Sequence, residues 1–264
     1  MSEAKDFKKF EKALNNLLYS SAGAASWSDL LSFTKDLYKQ LDDKKDKLNF
    51  GLITVKNTLS KRLAQCLNPE CPGGVHEVVI NIYFMIFQNI LTKNEGKLGD
   101  NLGIYSSGLF PFFTYASKPN KIKMLEKIIH LCFLQLEQNE LNLCLSGLLS
   151  SLIPGLDDNN EEITQKIYLT FDELKKKMKP GVFYGTYYSI LLRNKLLRAS
   201  GIKYLLERII KFENYKQLSD EQKKEKLLDE FPNANSLVVN SLSELIAEEE
   251  VVTVRNSMDF HKFI

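Results

Sequence analysis

The sequence predicts an all-α protein, and three observations predict it. Apolar residues recur at three- and four-residue steps along nearly the whole chain, the spacing that gives a helix one buried face. Turn formers are scarce, 13 Gly and 7 Pro in 264 residues, where an all-β fold needs many. No Asn-Gly or Asp-Gly hairpin signal occurs. At 44% hydrophobic and 26% charged, the composition excludes a disordered polymer, a collagen or a disulfide-stapled miniprotein. The length is ample to bury a core.

The helices follow in order. The first spans about Glu3–Ser20, with Phe7, Phe10, Leu14 and Leu17 inward, and Ser20–Ala25 reads as a turn. Ser26 caps the second, with Asp29 three residues on completing a capping-box pair. That helix carries Leu30, Thr34, Leu37, Tyr38 and Leu41, and Asp42–Lys47 is a solvated loop. Leu52, Val55, Leu59, Leu63 and Leu67 mark a third, stopped by Asn68-Pro69 because proline disfavours a helical residue before it. Pro72-Gly73-Gly74 starts a fourth, with Val75, Val79, Ile82, Ile86 and Ile90 inward. Leu102–Lys118 is apolar nearly all round and holds Pro111, placed in a first turn or at a kink. Ile122, Leu125, Ile129, Cys132 and Leu136 make the next helix; Leu141, Leu145, Leu148 and Leu152 make another, ended by Pro154-Gly155. Acidic Asp157–Glu162 opens the helix of Ile163, Ile167, Phe171, Leu174 and Met178, and Lys175–Lys179 closes it, both in the sense the helix dipole favours. Beyond Pro180-Gly181 come helices at about Val182–Arg193 and Leu196–Phe212, a capping box at Ser219–Gln222 before Leu227 and Leu228, then Asn235–Glu249 and Val251–Phe263.

About a dozen helices with short links suit a right-handed α-solenoid of stacked antiparallel pairs, HEAT/armadillo-like, in a single domain over 1–264. Leu125-Glu-Lys-Ile-Ile129 recurs as Leu206-Glu-Arg-Ile-Ile210, 81 residues later, about two such repeat units. The run Val251–Phe260 is still amphipathic near the last residue, so the native chain is expected to continue beyond it. The N-terminus has no apolar h-region. The longest near-apolar stretch, Val78–Phe87, falls short of the ~20 residues a spanning helix needs, so no transmembrane segment is expected.

Catalytic patterns are missing. Cys66, Cys71 and His76 lack the paired spacing and fourth ligand of a zinc site, and Cys132 and Cys144 fall on core faces, so no metal is expected. Ser106-Ser107-Gly108 is not a nucleophile elbow. His130 reads as a semi-buried helix residue, His76 as a capping or surface residue, and His261 has no partnered pattern, so no general acid/base site is expected. Asp157/Asp158 and Glu161/Glu162 read as a solvated helix start. No phosphate loop or dinucleotide fingerprint occurs, so no cofactor is expected; Gly99–Gly103 is a turn. Phe110, Phe112, Phe113 and Tyr115 read as core rather than a base-stacking platform, which argues against nucleic acid.

Charge is unevenly distributed. Lys166–Lys211 holds eleven basic and three acidic residues, net +8, in a chain whose total is +2, so the remainder sums to −6. Such a region suits anionic lipid headgroups or an acidic partner. Its candidate contacts are Lys175, Lys176, Lys177, Lys179, Arg193, Lys195, Arg198, Lys203 and Arg208. Lys61 and Arg62 adjoin Leu59 and Leu63 on a core face, so at least one must point outward or snorkel; they join the candidates.

Four stretches carry a family resemblance: Ser60-Lys-Arg-Leu-Ala-Gln-Cys-Leu-Asn-Pro69 with Pro72-Gly-Gly-Val-His76; Leu102-Gly-Ile-Tyr-Ser-Ser-Gly-Leu-Phe-Pro-Phe-Phe-Thr-Tyr-Ala-Ser117; Leu145-Ser-Gly-Leu-Leu-Ser-Ser-Leu-Ile-Pro-Gly-Leu156; and Arg198–Arg208. In this order and spacing the chain resembles the N-terminal domain of the Dopey family. It departs at Ser107, where the family usually has proline, and at Ala199-Ser-Gly201, where the family is more apolar. The resemblance implies the N-terminal part of a large cytoplasmic protein peripherally associated with Golgi and endosome membranes. It also implies three partners: a Mon-two-like scaffold, a phospholipid flippase and kinesin. Some members are described as recognising phosphatidylinositol 4-phosphate. The resulting expectation is a non-catalytic scaffold or adaptor in endosome–Golgi traffic, with phosphoinositide binding through a basic surface as the alternative.

Overall fold

A computed structural model describes residues 2–20, 26–93, 97–210, 219 and 221–222. Among them every regular element is helical: α1 Ser2–Ser20, α2 Trp27–Asp42, α3 Lys56–Cys66, α4 Gly73–Lys93, α5 Leu98–Tyr115, α6 Lys118–Lys123, α7 Gln138–Leu152, α8 Glu161–Met178, α9 Pro180–Arg193 and α10 Arg198–Ile210, with 3₁₀ turns between several of them. The chain divides into two compact units, 1–144 and 145–264, with the division inside α7. The sequence reading drew one domain over 1–264.

In the first unit, helices two apart in the chain lie against each other, α2 on α4 and α3 on α5. Stacked helix pairs pack in this way. Lys56 Nζ reaches Asn101 Oδ1 at 2.7 Å, Ser60 Oγ donates to the Ile104 carbonyl at 2.6 Å, and Tyr115 Oη donates to the Leu67 carbonyl at 2.8 Å. Contacts therefore climb both helices together, so α3 and α5 run parallel. At Gly108 the two backbones come close enough that an added Cβ would stand 2.4 Å from the Ala64 Cβ. Glycine is required there by that approach.

In the second unit the single residue Lys179 separates α8 from α9, and its φ of 65° is the chain's positive non-glycine φ among the described residues. The reversal folds α9 back along α8, so Phe171 meets Phe183 at 5.8 Å and Tyr187 at 6.0 Å between ring centroids. Tyr204 of α10 closes the cluster, 5.2 Å from Phe171. Rings this size each contribute about 2 kcal/mol by burial.

Most expected faces are in place. The Ser26 capping box forms with Asp29, and Ser219 and Gln222 make reciprocal side-chain-to-backbone bonds. Val75, Val79, Ile82, Ile86 and Ile90 are buried. Their helix, α4, is long and apolar enough to cross a membrane by length and composition, which the reading of Val78–Phe87 missed. Its hydrophobicity is accounted for by packing on both sides, against α2 and α5.

Several expectations need correction. In α1 the buried position is Leu18, with Leu17 only half-buried, because Phe10, Leu14 and Leu18 keep a strict four-residue step. Leu52 is exposed, in a 3₁₀ turn ahead of α3. Pro111 lies inside α5 near its end, not in its first turn; it and Ser107 are both exposed, so water can serve the carbonyl that proline leaves without its i+4 donor. The helix drawn through Ile122–Leu136 is α6, then a π-helical stretch Met124–His130, then a 3₁₀ turn at Phe133–Gln135. Buried pairs at 124/125, 128/129 and 132/133 recur every four residues, and the wider π turn keeps such pairs on one side. Leu125–Ile129 therefore differs in structure from its sequence echo Leu206–Ile210, which is α-helical. The helices expected at Asn235–Glu249 and Val251–Phe263, Leu227, Leu228, His261 and the turn residues 21–25 lie outside the described residues.

Candidate functional site

The basic segment does not converge. α9 is 14 residues long, about 21 Å at 1.5 Å per residue, and it separates Lys175, Lys176, Lys177 and Lys179 at one end from Arg193 and Lys195 at the other. Because α9 doubles back along α8, the second group shares an end of the unit with Glu161 and Glu162 in the first turn of α8. Lys176, Lys179, Arg193 and Lys195 are exposed; Lys175 and Lys177 are half-buried.

Three of the candidate cations are committed to holding the fold. Arg198 is only 5% exposed. Its Nε donates to the Leu191 carbonyl and its Nη2 to the Leu192 carbonyl, both at 2.8 Å. These are carbonyls of the last turn of α9, which the helix itself leaves without donors. Arg198 is thus a buried clamp rather than a surface ligand. Lys203 Nζ pairs with Asp157 Oδ1 at 2.9 Å, and Arg208 Nη2 with Asp172 Oδ1 at 2.8 Å. Beside them the Tyr168 hydroxyl donates to Glu207 Oε2; burial, and then that carboxylate, push the phenol up.

Several residues weighed for metal or nucleophilic chemistry are packed into the architecture, while Cys71 is half-buried and Ser107 exposed. Among the described residues no three His, Cys, Asp or Glu side chains converge. Cys66, Cys132 and Cys144 are buried, and burial pushes each thiol up to about 12. A thiol so placed stays protonated and unreactive at neutral pH. His76, expected at the surface or as a cap, is instead buried. Its Nε2 is 2.9 Å from the Asn68 carbonyl and its ring meets Phe112 edge-on at 4.9 Å, tying the start of α4 to the end of α3. His130 is half-buried at the end of the π stretch.

Lys61 and Arg62 do reach the surface. Lys61 is exposed; Arg62 is half-buried, and its Nη1 donates to Gln65 Oε1 at 2.8 Å. Lys61 rims an open groove of about 540 Å³ between α3 and α5. α3 lines it with Asn57, Lys61, Ala64 and Gln65, and α5 with Gly103, Ile104 and Ser107; Ser60 lies beneath, spent on the Ile104 carbonyl. Sequence reading found Lys61 but not the groove. The missing signal was the parallel pairing of two helices that are not neighbours in the chain.

A second cleft, of about 330 Å³, lies between α2 and α4. Its buried polar residue, Asn89, accepts from the Phe50 amide at 2.7 Å and donates to the Lys45 and Leu48 carbonyls at 2.6 and 2.9 Å. Every polar atom of that side chain is used to hold the loop after α2.

Comparison with known proteins adds the family. The model for the family described as "Dopey, N-terminal" matches residues 4–261. The chain is similar to "Protein DOP1B" of Xenopus laevis, 30% identical over 257 residues, and of Mus musculus, 30% over 260. Each match covers 96% of this chain and 10% of the relative. "Protein DOP1" of Saccharomyces cerevisiae is 27% identical over 201 residues, 75% of this chain and 12% of that one. The chain thus spans about a tenth of the length of the curated relatives it matches. No solved structure matches.

Proposed function

The chain belongs to the Dopey family, and on that premise we propose that it is a non-catalytic scaffold module of a peripheral membrane protein in endosome–Golgi traffic. It binds protein partners through the surfaces of its stacked helices. The observation that supports this most is where the reactive side chains go: three of the four thiols, His76 and Arg198 are spent on packing and helix ends, while polar helix surface remains open along α3 and α5. The partners implied by the family are a Mon-two-like scaffold, a phospholipid flippase and kinesin. The test is capture of each purified partner by the immobilised 264-residue chain. Capture of at least one is expected; failure with all three overturns the reading.

A second reading, recruitment to anionic membrane, draws on the α8–α9 corner. It places four lysines in five residues, with Lys176 and Lys179 exposed. Each cation near a charged bilayer contributes about 1 kcal/mol. Flotation at low salt on vesicles with phosphatidylinositol 4-phosphate, but not without, is expected. Binding that survives charge reversal of Lys175, Lys176 and Lys177 places the contact elsewhere.

A further inference from the structure

We propose that the groove between α3 and α5 is a docking site for an acidic peptide segment of a partner protein, an inference that rests on the scaffold reading and gives it a location. Three features of the groove point to this chemistry. The first is sign. Lys61 stands exposed at the rim with Arg62 beside it, and no carboxylate lines the groove. α3 itself, Lys56–Cys66, contains no acid. The acid of α5, Asp100, lies one turn before Gly103, toward the helix start. The Lys56 ammonium bonds neutral partners, Asn101 and the Gly51 carbonyl, so it keeps its charge and adds to the positive sign at that end.

The second is where the positive charge lies. At the start of α3, Glu11 Oε1 accepts from the Thr54 amide and hydroxyl at 2.6 and 2.8 Å and offsets the partial positive charge of the helix terminus. The favourable charge for a bound carboxylate is therefore at Lys61 and Arg62, further along α3.

The third is shape. Ala64 and Ile104 are half-buried, and a Cβ on Gly103 would meet nothing within 4 Å. The groove therefore has a small apolar floor with room above it, flanked by the amide of Gln65 and the hydroxyl of Ser107. That arrangement suits a short apolar side chain set between carboxylates, with polar rim groups left for the peptide backbone. Apart from Asn57, the lining residues fall within Ser60–Pro69 and Leu102–Ser117.

The test is fluorescence anisotropy of the 264-residue chain with labelled twelve-residue peptides: a pool in which Asp and Glu alternate with Ala and Val, and length-matched basic and neutral pools. The acidic pool is expected to bind, at least tenfold tighter than the others and more weakly as salt rises. Lys61→Glu and Gly103→Phe are each expected to lower that affinity at least tenfold. Gly103→Phe fills the groove where the structure has open space, so its melting temperature should not fall, and Lys39→Glu, on α2, should bind within twofold of the parent. Equal binding of all pools, or acidic binding indifferent to both groove variants, overturns the proposal. So does loss of anionic-vesicle flotation in Lys61→Glu with the acidic pool ignored, since the groove would then face a membrane. Partner capture by a chain that ignores the acidic pool removes the groove and leaves the scaffold reading; acidic binding without partner capture does the reverse.

Discussion

The two units secure their helices by different chemistry. The first leans on side chains bonded to backbone, several of them neutral: Asn89 on the loop after α2, Ser60 on α5, His76 and Tyr115 on the end of α3, with Glu11 on the Thr54 amide and Lys93 on the Asp46 carbonyl as charged members. The second uses charge: Arg198 on the end of α9, Lys203 and Arg208 on acids of the 157 turn and α8, around a cluster of aromatic rings. The region with net +8 thus spends part of that charge holding itself together, and α9 splits what remains. The first unit, with no such excess, leaves Lys61 at an open groove. Charge counted along a chain is therefore a poor guide to charge at its surface, where pairing and helix geometry decide what a partner meets.

The strongest test of this contrast removes one fastener from each unit. Asn89→Leu leaves the Phe50 amide and the Lys45 and Leu48 carbonyls without that partner, and Arg198→Met does the same to two helix-end carbonyls. Each is expected to cost about 3 kcal/mol in urea unfolding, since buried groups lose partners and, for Arg198, the bonds are charge-assisted. Hydrogen exchange should place the loosening near 45–50 in the first variant and near 191–197 in the second. Arg198→Lys should not rescue, because one ammonium does not reproduce the planar fork that serves two carbonyls. Parent-like stability in Arg198→Lys would mean that charge, not geometry, holds the end of α9.

A smaller effect separates tight from open helix contact inside the first unit. A methyl at Gly108 meets the Ala64 Cβ at 2.4 Å and its Cα at 2.8 Å, so backbone must move; a methyl at Gly103 meets nothing. Gly108→Ala is expected to lose about 1–3 kcal/mol. Gly103→Ala is expected to gain about 0.5–1 kcal/mol from helix propensity. Thermal melts with shifts of the same sign would deny that the close approach is confined to Gly108.

Much of the fold was legible because the signals were local. Ser26 and Asp29 form their box because both partners lie within one turn, and the face of α4 follows from one residue spacing. What escaped reading depends on how elements are placed against one another, whether close or distant in sequence. The groove exists because α3 and α5 run side by side, with α4 between them in sequence. Arg198 looked like any basic residue at a helix start until α9 placed two carbonyls against it. His76 read as a capping or surface group because residue spacing does not show the Asn68 carbonyl and the Phe112 ring closing over it. The π stretch was half-visible: its four-residue pairing was in the sequence, but a three-and-four template absorbs that pairing as an ordinary helix.

The smallest expected effect compares one surface ion pair from each unit across pH. In the first, the Lys123 ammonium donates to Glu77, and that hydrogen bond, followed by the charge itself, lowers the carboxyl below its ordinary 4.5. A depressed carboxyl contributes stability above its unfolded value and loses it as pH falls through the folded one. In the second, the hydrogen bond to Asp157 raises Lys203 above 10.5, so its contribution is complete below that value and lost only as pH climbs past the folded one. The Glu77 side chain is 51% exposed and that of Lys203 49%, so solvent screens both pairs and each contributes at most about 1 kcal/mol. Urea midpoints should therefore fall less steeply below pH 4.5 in Glu77→Gln than in the parent, with no change between pH 6 and 8 beyond a constant offset. Lys203→Met should lower the urea midpoint by a small constant offset between pH 6 and 8. The alkaline limb of the first unit starts with its thiols, since Cys66, Cys132 and Cys144 favour the protonated form in the fold and withdraw stability as pH rises past their unfolded value of 9.0; the buried phenols of Tyr83 and Tyr105, raised by burial, add to it above 10.0. An acid limb of unchanged slope in Glu77→Gln would show that the pair does not form in solution, and would leave the charged fasteners of the first unit to those that bond neutral groups, such as Lys56 on Asn101.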